Sequence, residues 1–176
     1  AAKNLFKLLQ EQPLNAALPN ATQTVTTIDQ IQVDHVSFSY PIRPEAVLKN
    51  VTLTLNAGEI VGFVGASGSG KSTLAKLIMG WYPVSHGQIL IDGNDLATIK
   101  PTALRNQMNY LPQTPVFFSE SVRDNLTLHD PAITDQQIWT VLDQVKLRAR
   151  LEQMSQGLDT IVAASHVPFS SGEQQR

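Results

Sequence analysis

Eight consecutive residues carry the strongest chemical signal in the sequence: Gly65, Ala66, Ser67, Gly68, Ser69, Gly70, Lys71 and Ser72. They match G-x-x-x-x-G-K-[ST], a pattern whose parts all serve phosphate binding. Glycines permit backbone angles that other residues avoid and let the main chain come close to a phosphate. Successive N–H groups then turn inward as an anion nest. A helix beginning near Lys71 adds the positive end of its dipole. In this pattern Lys71 reaches the β- and γ-phosphates of a nucleotide, and the Ser72 hydroxyl ligates Mg2+. The motif by itself leaves kinases, GTPases, helicases and transporters open.

The elements around the motif have to hold it. Residues 60–64, IVGFV, form a continuous apolar run, which predicts a strand buried on both faces. A helix is expected from about Lys71 to Met79. Upstream, Ile31, Val33, Val36, Phe38 and Tyr40 alternate with polar residues, with a slip near Asp34 and His35 that a bulge would absorb. Val51, Leu53 and Leu55 mark a second alternating strand, ended by a turn at Asn56-Ala57-Gly58. Residues 88–91 read as a strand followed by an Asp92-Gly93 turn, residues 102–106 as a short helix, and residues 108–111 as a strand. After Phe118 the strand signals stop, and helices are expected over residues 121–126, 134–145 and 148–154. Asp135 falls in the first turn of the second of these, where a negative charge suits the dipole. Residues 1–12 read as a short amphipathic helix stopped by Pro13, and residues 13–30 as a linker. The fold class is α/β: a P-loop NTPase core with an antiparallel β subdomain and a helical subdomain.

Composition sets the outer bounds. At 176 residues the chain suits one domain, and 42% hydrophobic with 16% charged residues is a globular balance. A formal net charge of -2 gives no basic footprint, so nucleic acid is not an expected partner. With no cysteine there is neither a disulfide framework nor a thiolate metal site. No apolar run reaches the length of a membrane-spanning helix, and the N-terminus lacks a signal-peptide pattern.

Further segments, in order and spacing, resemble ABC transporter ATPases of the exporter type over residues 31–176. VSFSY at 36–40 and VLKNVTLTLNAGEIVGFVG at 47–65 look like that family's antiparallel subdomain leading into its phosphate loop. The resemblance implies that Tyr40 stacks on adenine, and that Thr73 joins residues 65–72 in holding ATP and Mg2+. YLPQ at 110–113 resembles the family's Q-loop, which gives Gln113 a contact to Mg2+ and to the attacking water. Residues 114–128, TPVFFSESVRDNLTL, resemble the exporter pattern F-x-x-x-[VI]-x-x-N. Residues 169–176, FSSGEQQR, resemble the signature motif L-S-G-G-Q-R-Q-R, in which Ser170 and Gly172 meet ATP held by a second nucleotide-binding domain. Ser171 and Glu173 depart from that motif, as residues 162–167 depart from the acidic, glycine-rich pattern before it. The expectation is a weakened signature half-site, because Ser171 in place of a glycine hinders close backbone approach and the carboxylate of Glu173 removes an amide donor and repels a triphosphate.

What the resemblance implies is an ATPase, paired with a second nucleotide-binding domain and with the transmembrane domain of an exporter, at the cytoplasmic face of the inner membrane. Wording such as VRDNLTL leans toward bacterial peptide or bacteriocin exporters. The family's acidic pair after the next strand, and its switch histidine, are not found before Arg176. The 176-residue chain is therefore expected to be inactive and poorly stable by itself. His35, His86, His129 and His166 read as surface or turn residues, and Asp92 as a turn residue. A soluble ATPase of the same family and a non-catalytic subunit are the alternative readings.

Overall fold

The computed structural model describes residues 21–42, 45–163 and 167–176. The helix expected over residues 1–12, the first part of the expected linker, and His166 lie outside them. The described chain forms two compact units, one reaching to Tyr110 and the other Leu111–Arg176.

The first unit is built on an antiparallel sheet of β1 (Gln30–Phe38), β2 (Leu48–Asn56), β3 (His86–Ile91) and β4 (Asn94–Asp95), in the order β2-β1-β3-β4. Alternation places Val33 opposite both Leu53 and Ile89. The slip at Asp34 and His35 is a bulge. Val33 to Val36 on β1 faces Leu53 to Val51 on β2, one residue fewer, and His35 takes φ 49°. Gly87 makes the bulge possible from the β3 side: a Cβ there would lie 2.4 Å from the carbonyl oxygens of Asp34 and His35. Asp92 and Gly93 turn the β3–β4 hairpin with φ 50° and 77°. The Asp92 carboxylate also accepts from the backbone N–H of Asp29 (3.0 Å) and Gln30 (2.7 Å), fixing the entry to β1. Just upstream, Gln23 forms a parallel bridge with Ile99.

Helix α1 (Lys71–Ile78) turns Thr73, Leu74, Leu77 and Ile78 inward, the i, i+1, i+4, i+5 stripe of one face. Its three aliphatics join Val33, Val36, Phe38, Leu48 and Ile89 in one core. Burying each such side chain contributes roughly 1.5–3 kcal/mol. A short helix α2 (Pro101–Arg105) starts with proline at its first position and buries Leu104 against Ile91 and Ile99.

Two expected strands are not formed. Residues 60–64 have no ladder partner among the described residues, and Ile60 and Val64 are fully exposed. Residues 108–111 likewise form no strand; Met108 and Tyr110 are half-buried and Leu111 is exposed. An apolar or alternating run states which faces would be covered. A strand also needs a neighbouring chain to take its N–H and C=O groups, and the described residues supply none here.

In the second unit, α3 (Val122–Thr127), α4 (Asp135–Gln144) and α5 (Arg148–Glu152) follow the expected order, and α6 (Ser171–Gln175) comes after them. Val122, Ile138, Leu142, Leu147, Leu151, Leu158 and Val162 form the core. Each longer helix begins on a hydroxyl cap. Ser121 accepts from Asp124 N at 3.0 Å, and Thr134 forms a reciprocal capping box with Gln137. Asp135 sits in the first turn of α4, as expected, and pairs with Arg123. Arg123 also reaches Asp159 at 3.1 Å, so one guanidinium joins α3, the start of α4 and the Gly157–Asp159 turn. Those carboxylates, Asp159 first, raise its pKa above the ordinary arginine value.

Candidate functional site

The phosphate-binding pattern lies on an exposed loop that enters α1. Ser69 N donates to Ala66 O at 3.2 Å, which closes the loop into a turn, and Leu74 N donates to Gly70 O at 2.8 Å, which opens the helix. Gly70 is the N-cap, buried, with φ 91°. A Cβ there would lie 2.6 Å from Leu48 Cδ2 and 3.1 Å from Val47 O, so the position requires glycine on two counts. A glycine cap has another consequence. Ser121, Thr134 and Ser170 cap their helices with a hydroxyl, whereas α1 has no side-chain cap. The first N–H groups of α1 are left to be met from outside the helix.

The Lys71 ammonium turns back over this loop. It donates to Gly65 O and Ala66 O, both at 2.8 Å, and to Ser69 Oγ at 3.3 Å. Among the described residues no carboxylate pairs with it, and its partners there are neutral oxygens. Ser72 follows in the first turn with its side chain exposed. Thr73 is buried, and its hydroxyl meets the Tyr40 hydroxyl at 3.1 Å. Tyr40 packs edge-on with Phe38 (4.9 Å between ring centroids) and Tyr82 (5.3 Å), half-buried. The first unit thus gathers Tyr40, the loop 65–70, Lys71, Ser72 and Thr73. A glycine-built cradle, uncapped helix N–H groups, an ammonium held only by neutral oxygens among the described residues and an exposed hydroxyl at the helix start are a donor set that fits a polyphosphate with a hard divalent cation.

The second unit carries Gln113, Ser170 and Gly172. Gln113 is exposed, and its carbonyl accepts from Gln175 Nε2 at 2.9 Å. The strand expected over residues 108–111, just before Gln113, is not formed; a side chain of α6 holds the Gln113 backbone instead. Ser170 caps α6. Its Oγ accepts from Glu173 N (3.4 Å), and the Glu173 carboxylate accepts from Ser170 N and Ser170 Oγ, both at 2.8 Å. The Ser170 amide, then its hydroxyl, lower the Glu173 pKa below the ordinary glutamate value, with Arg150 and Arg176 adding attraction. Glu173 therefore has a structural task that its departure from the motif did not suggest, although Ser-x-x-Glu is a capping-box pattern in plain sight.

Sequence reading also missed what Asn125 does. Its amide accepts from Phe118 N at 2.8 Å and donates to Phe118 O at 3.0 Å and Ser121 O at 2.9 Å. The F-x-x-x-V-x-x-N spacing is a backbone clamp on the entry to α3. His129 sits on the surface, 2.9 Å from Glu120.

A glycine-rich phosphate loop entering a helix, beside an antiparallel sheet and followed by a helical unit, defines a P-loop nucleotide-binding protein with the layout of an ABC ATPase. The family model described as ABC transporter matches residues 48–176, and the chain belongs to that family. A putative multidrug export ATP-binding/permease protein of Staphylococcus aureus is 39% identical over 147 residues, 84% of this chain and 25% of that protein. ABC transporter B family member 14 of Arabidopsis thaliana is 33% identical over 178 residues, spanning 100% of this chain and 14% of that protein. Among solved structures, a bacterial Atm1-family ABC exporter with ATP bound superposes with a TM-score of 0.87 at 29% identity, over 98% of this chain and 30% of that one. The chain thus spans a quarter or less of the length of these curated relatives.

Proposed function

We propose that this chain is the nucleotide-binding domain of an ABC exporter, which binds ATP with Mg2+ and, paired with a second such domain, hydrolyses it to drive transport by an attached transmembrane domain. The observation that carries the reading is the Lys71 ammonium, unpaired with any carboxylate among the described residues and held over a loop whose glycine cap leaves helix N–H groups open. The relatives support the exporter part, being named as export ATP-binding/permease proteins. No helix of the described residues is long and apolar enough to cross a membrane. The transmembrane domain, and a place at the cytoplasmic face of the membrane, belong to the proposal.

Each residue then has a task. The amides of Gly65, Ala66, Ser67, Gly68, Ser69 and Gly70 surround the β-phosphate, and Lys71 exchanges its carbonyl partners for the β- and γ-oxygens. That exchange gives up two ammonium–carbonyl hydrogen bonds for bonds in which both donor and acceptor carry charge. Ser72 and Gln113 would hold a magnesium ion, which when bound offsets the negative charge of the phosphates. The Gln113 amide orients the attacking water, the positioning work that dominates phosphoryl transfer. Tyr40 offers its ring to adenine; its hydroxyl bond to Thr73 fixes that ring beside the residue that follows Ser72. Ser170 and Gly172 meet the nucleotide held by the partner domain.

MgATP titration of the full-length protein tests the reading. Lys71→Ala removes charged hydrogen bonds worth roughly 1.5–3 kcal/mol, so affinity falls at least about tenfold. Equal affinity of the two proteins, or no MgATP affinity in the unmodified one, overturns the proposal.

A further inference from the structure

Gln174 and Gln175, the last two residues of α6, and Arg176 just after it each hold a backbone carbonyl. Gln174 Nε2 donates to Phe169 O at 2.7 Å and closes the helix onto its own entry. Arg176 donates to Gly172 O at 3.3 Å and to Val145 O at 3.5 Å. Gln175 reaches furthest along the chain: its Nε2 donates to Gln113 O at 2.9 Å, across 62 positions of sequence. Burial holds the Gln113 stretch only weakly, since Leu111 and Val116 on either side are 69% and 82% exposed. The stretch has no helix or strand to fix it either. A directional tie matters most where packing and ladders are missing.

We propose that Gln175 is a positioning residue, whose side-chain amide couples the backbone of Gln113 to the helix capped by Ser170. The inference rests on the reading of Gln113 and Ser170 given above, in which Gln113 serves the nucleotide bound by its own domain and Ser170 the nucleotide of the partner. Movement of α6 toward the partner's nucleotide then carries Gln113 with it. Turnover in one site comes to depend on closure at the other. The chemistry of the tie is one-sided: a main-chain carbonyl only accepts, so residue 175 must donate. Glutamate has the length of glutamine but would set a second acceptor against the carbonyl. Methionine has the length and no donor. Lysine keeps an N–H donor with enough reach.

The test is steady-state ATP hydrolysis by the full-length transporter as a function of ATP, for the unmodified protein, Gln175→Glu, Gln175→Met and Gln175→Lys, with MgATP affinity and thermal midpoint measured alongside. Loss of one hydrogen bond that matters in the transition state lowers kcat by about 3- to 10-fold in the Glu and Met variants. KM and MgATP affinity stay within about 2-fold, and the cooperativity of the ATP dependence falls toward none. Gln175→Lys keeps at least about half the kcat, because the donor is retained. The proposal is overturned if the Glu and Met variants turn over like the unmodified protein, if Gln175→Lys is as impaired as they are, or if kcat falls only in step with the thermal midpoint. An unmodified protein without MgATP affinity or turnover overturns the underlying reading and the tie with it; normal turnover in the unmodified, Glu and Met proteins overturns the tie alone.

Discussion

Replacing Gly70 by alanine separates two costs that the phosphate loop places at one atom. The first is conformational: φ is 91°, and an L-residue in left-handed backbone costs about 1–2 kcal/mol. The second is steric: the new methyl lies 2.6 Å from Leu48 Cδ2 and 3.1 Å from a backbone oxygen. Leu48 is 5% exposed inside the core shared with α1, so it has little room to yield. Overpacking of this kind costs about 1–3 kcal/mol. The sum, about 2–5 kcal/mol, is a large part of the 5–15 kcal/mol that holds a typical domain together. Gly68→Ala is the matched control. Its φ is 80°, but no atom lies within 4 Å of the added methyl, so only the conformational cost of about 1–2 kcal/mol applies.

Urea unfolding followed by Trp81 emission reads this out. Trp81 packs against Tyr110 in the first unit at 4.8 Å between centroids, and a Trp139→Phe background silences the second unit. Leu48→Ala removes the clashing methyl at its own expected cost of about 2–5 kcal/mol. The double variant Gly70→Ala, Leu48→Ala should then be less damaging than the sum of its parts by about 1–3 kcal/mol, the overlap energy. Equal losses for Gly70→Ala and Gly68→Ala, or strict additivity in the cycle, would refute the argument that Leu48 sets the requirement.

Arg123→Ala breaks the pairs to Asp135 and Asp159 that join α3, α4 and the Gly157–Asp159 turn. With the guanidinium side chain 30% exposed, the expected loss in the second unit is about 1–2 kcal/mol, less in 1 M salt, read from Trp139 emission; an unchanged midpoint at low salt refutes it. The Glu173 carboxyl, held down by Ser170 N–H and Oγ–H, has a folded-state pKa below its unfolded one. Its contribution to the α6 start is therefore complete above the unfolded value, about 4.3, and is lost as pH falls through the lower folded value. A carboxyl-carbon NMR titration should show Glu173 ionising below ordinary glutamate and moving upward in Ser170→Ala; an ordinary midpoint in both proteins sinks the capping box.

Legibility in the sequence followed the range of the interactions. The phosphate loop could be read because its conformation is set within eight residues, by glycines and a helix start. The helices of the second unit could be read for the same reason: Ser121 and Thr134 satisfy their first turns through partners three residues on. The bulge at His35 showed as a break in alternation. Residues 60–64 and 108–111 could not be read correctly, because pattern alone does not say whether a neighbouring strand is there. The Gln175–Gln113 bond, spanning 62 positions, leaves no local signature at all.

Glu173 and Gly172 show why a departure from a motif has to be weighed by what the chain itself demands. Glu173 looked like a lost donor, yet the chain uses its carboxylate to start α6. Gly172 matches the motif, yet nothing among the described residues requires a glycine there. Its φ is not in the left-handed region, and a Cβ would meet no atom within 4 Å. Ser171 beside it also has no positive φ, so it carries no backbone strain from replacing a glycine. A bare backbone at an exposed helix start, with no internal reason for it, is what close approach by something outside the chain requires. Under the proposed function, the departure at Ser171 is therefore the one that would bear on contact with a partner's nucleotide, while the one at Glu173 acts first on the start of α6.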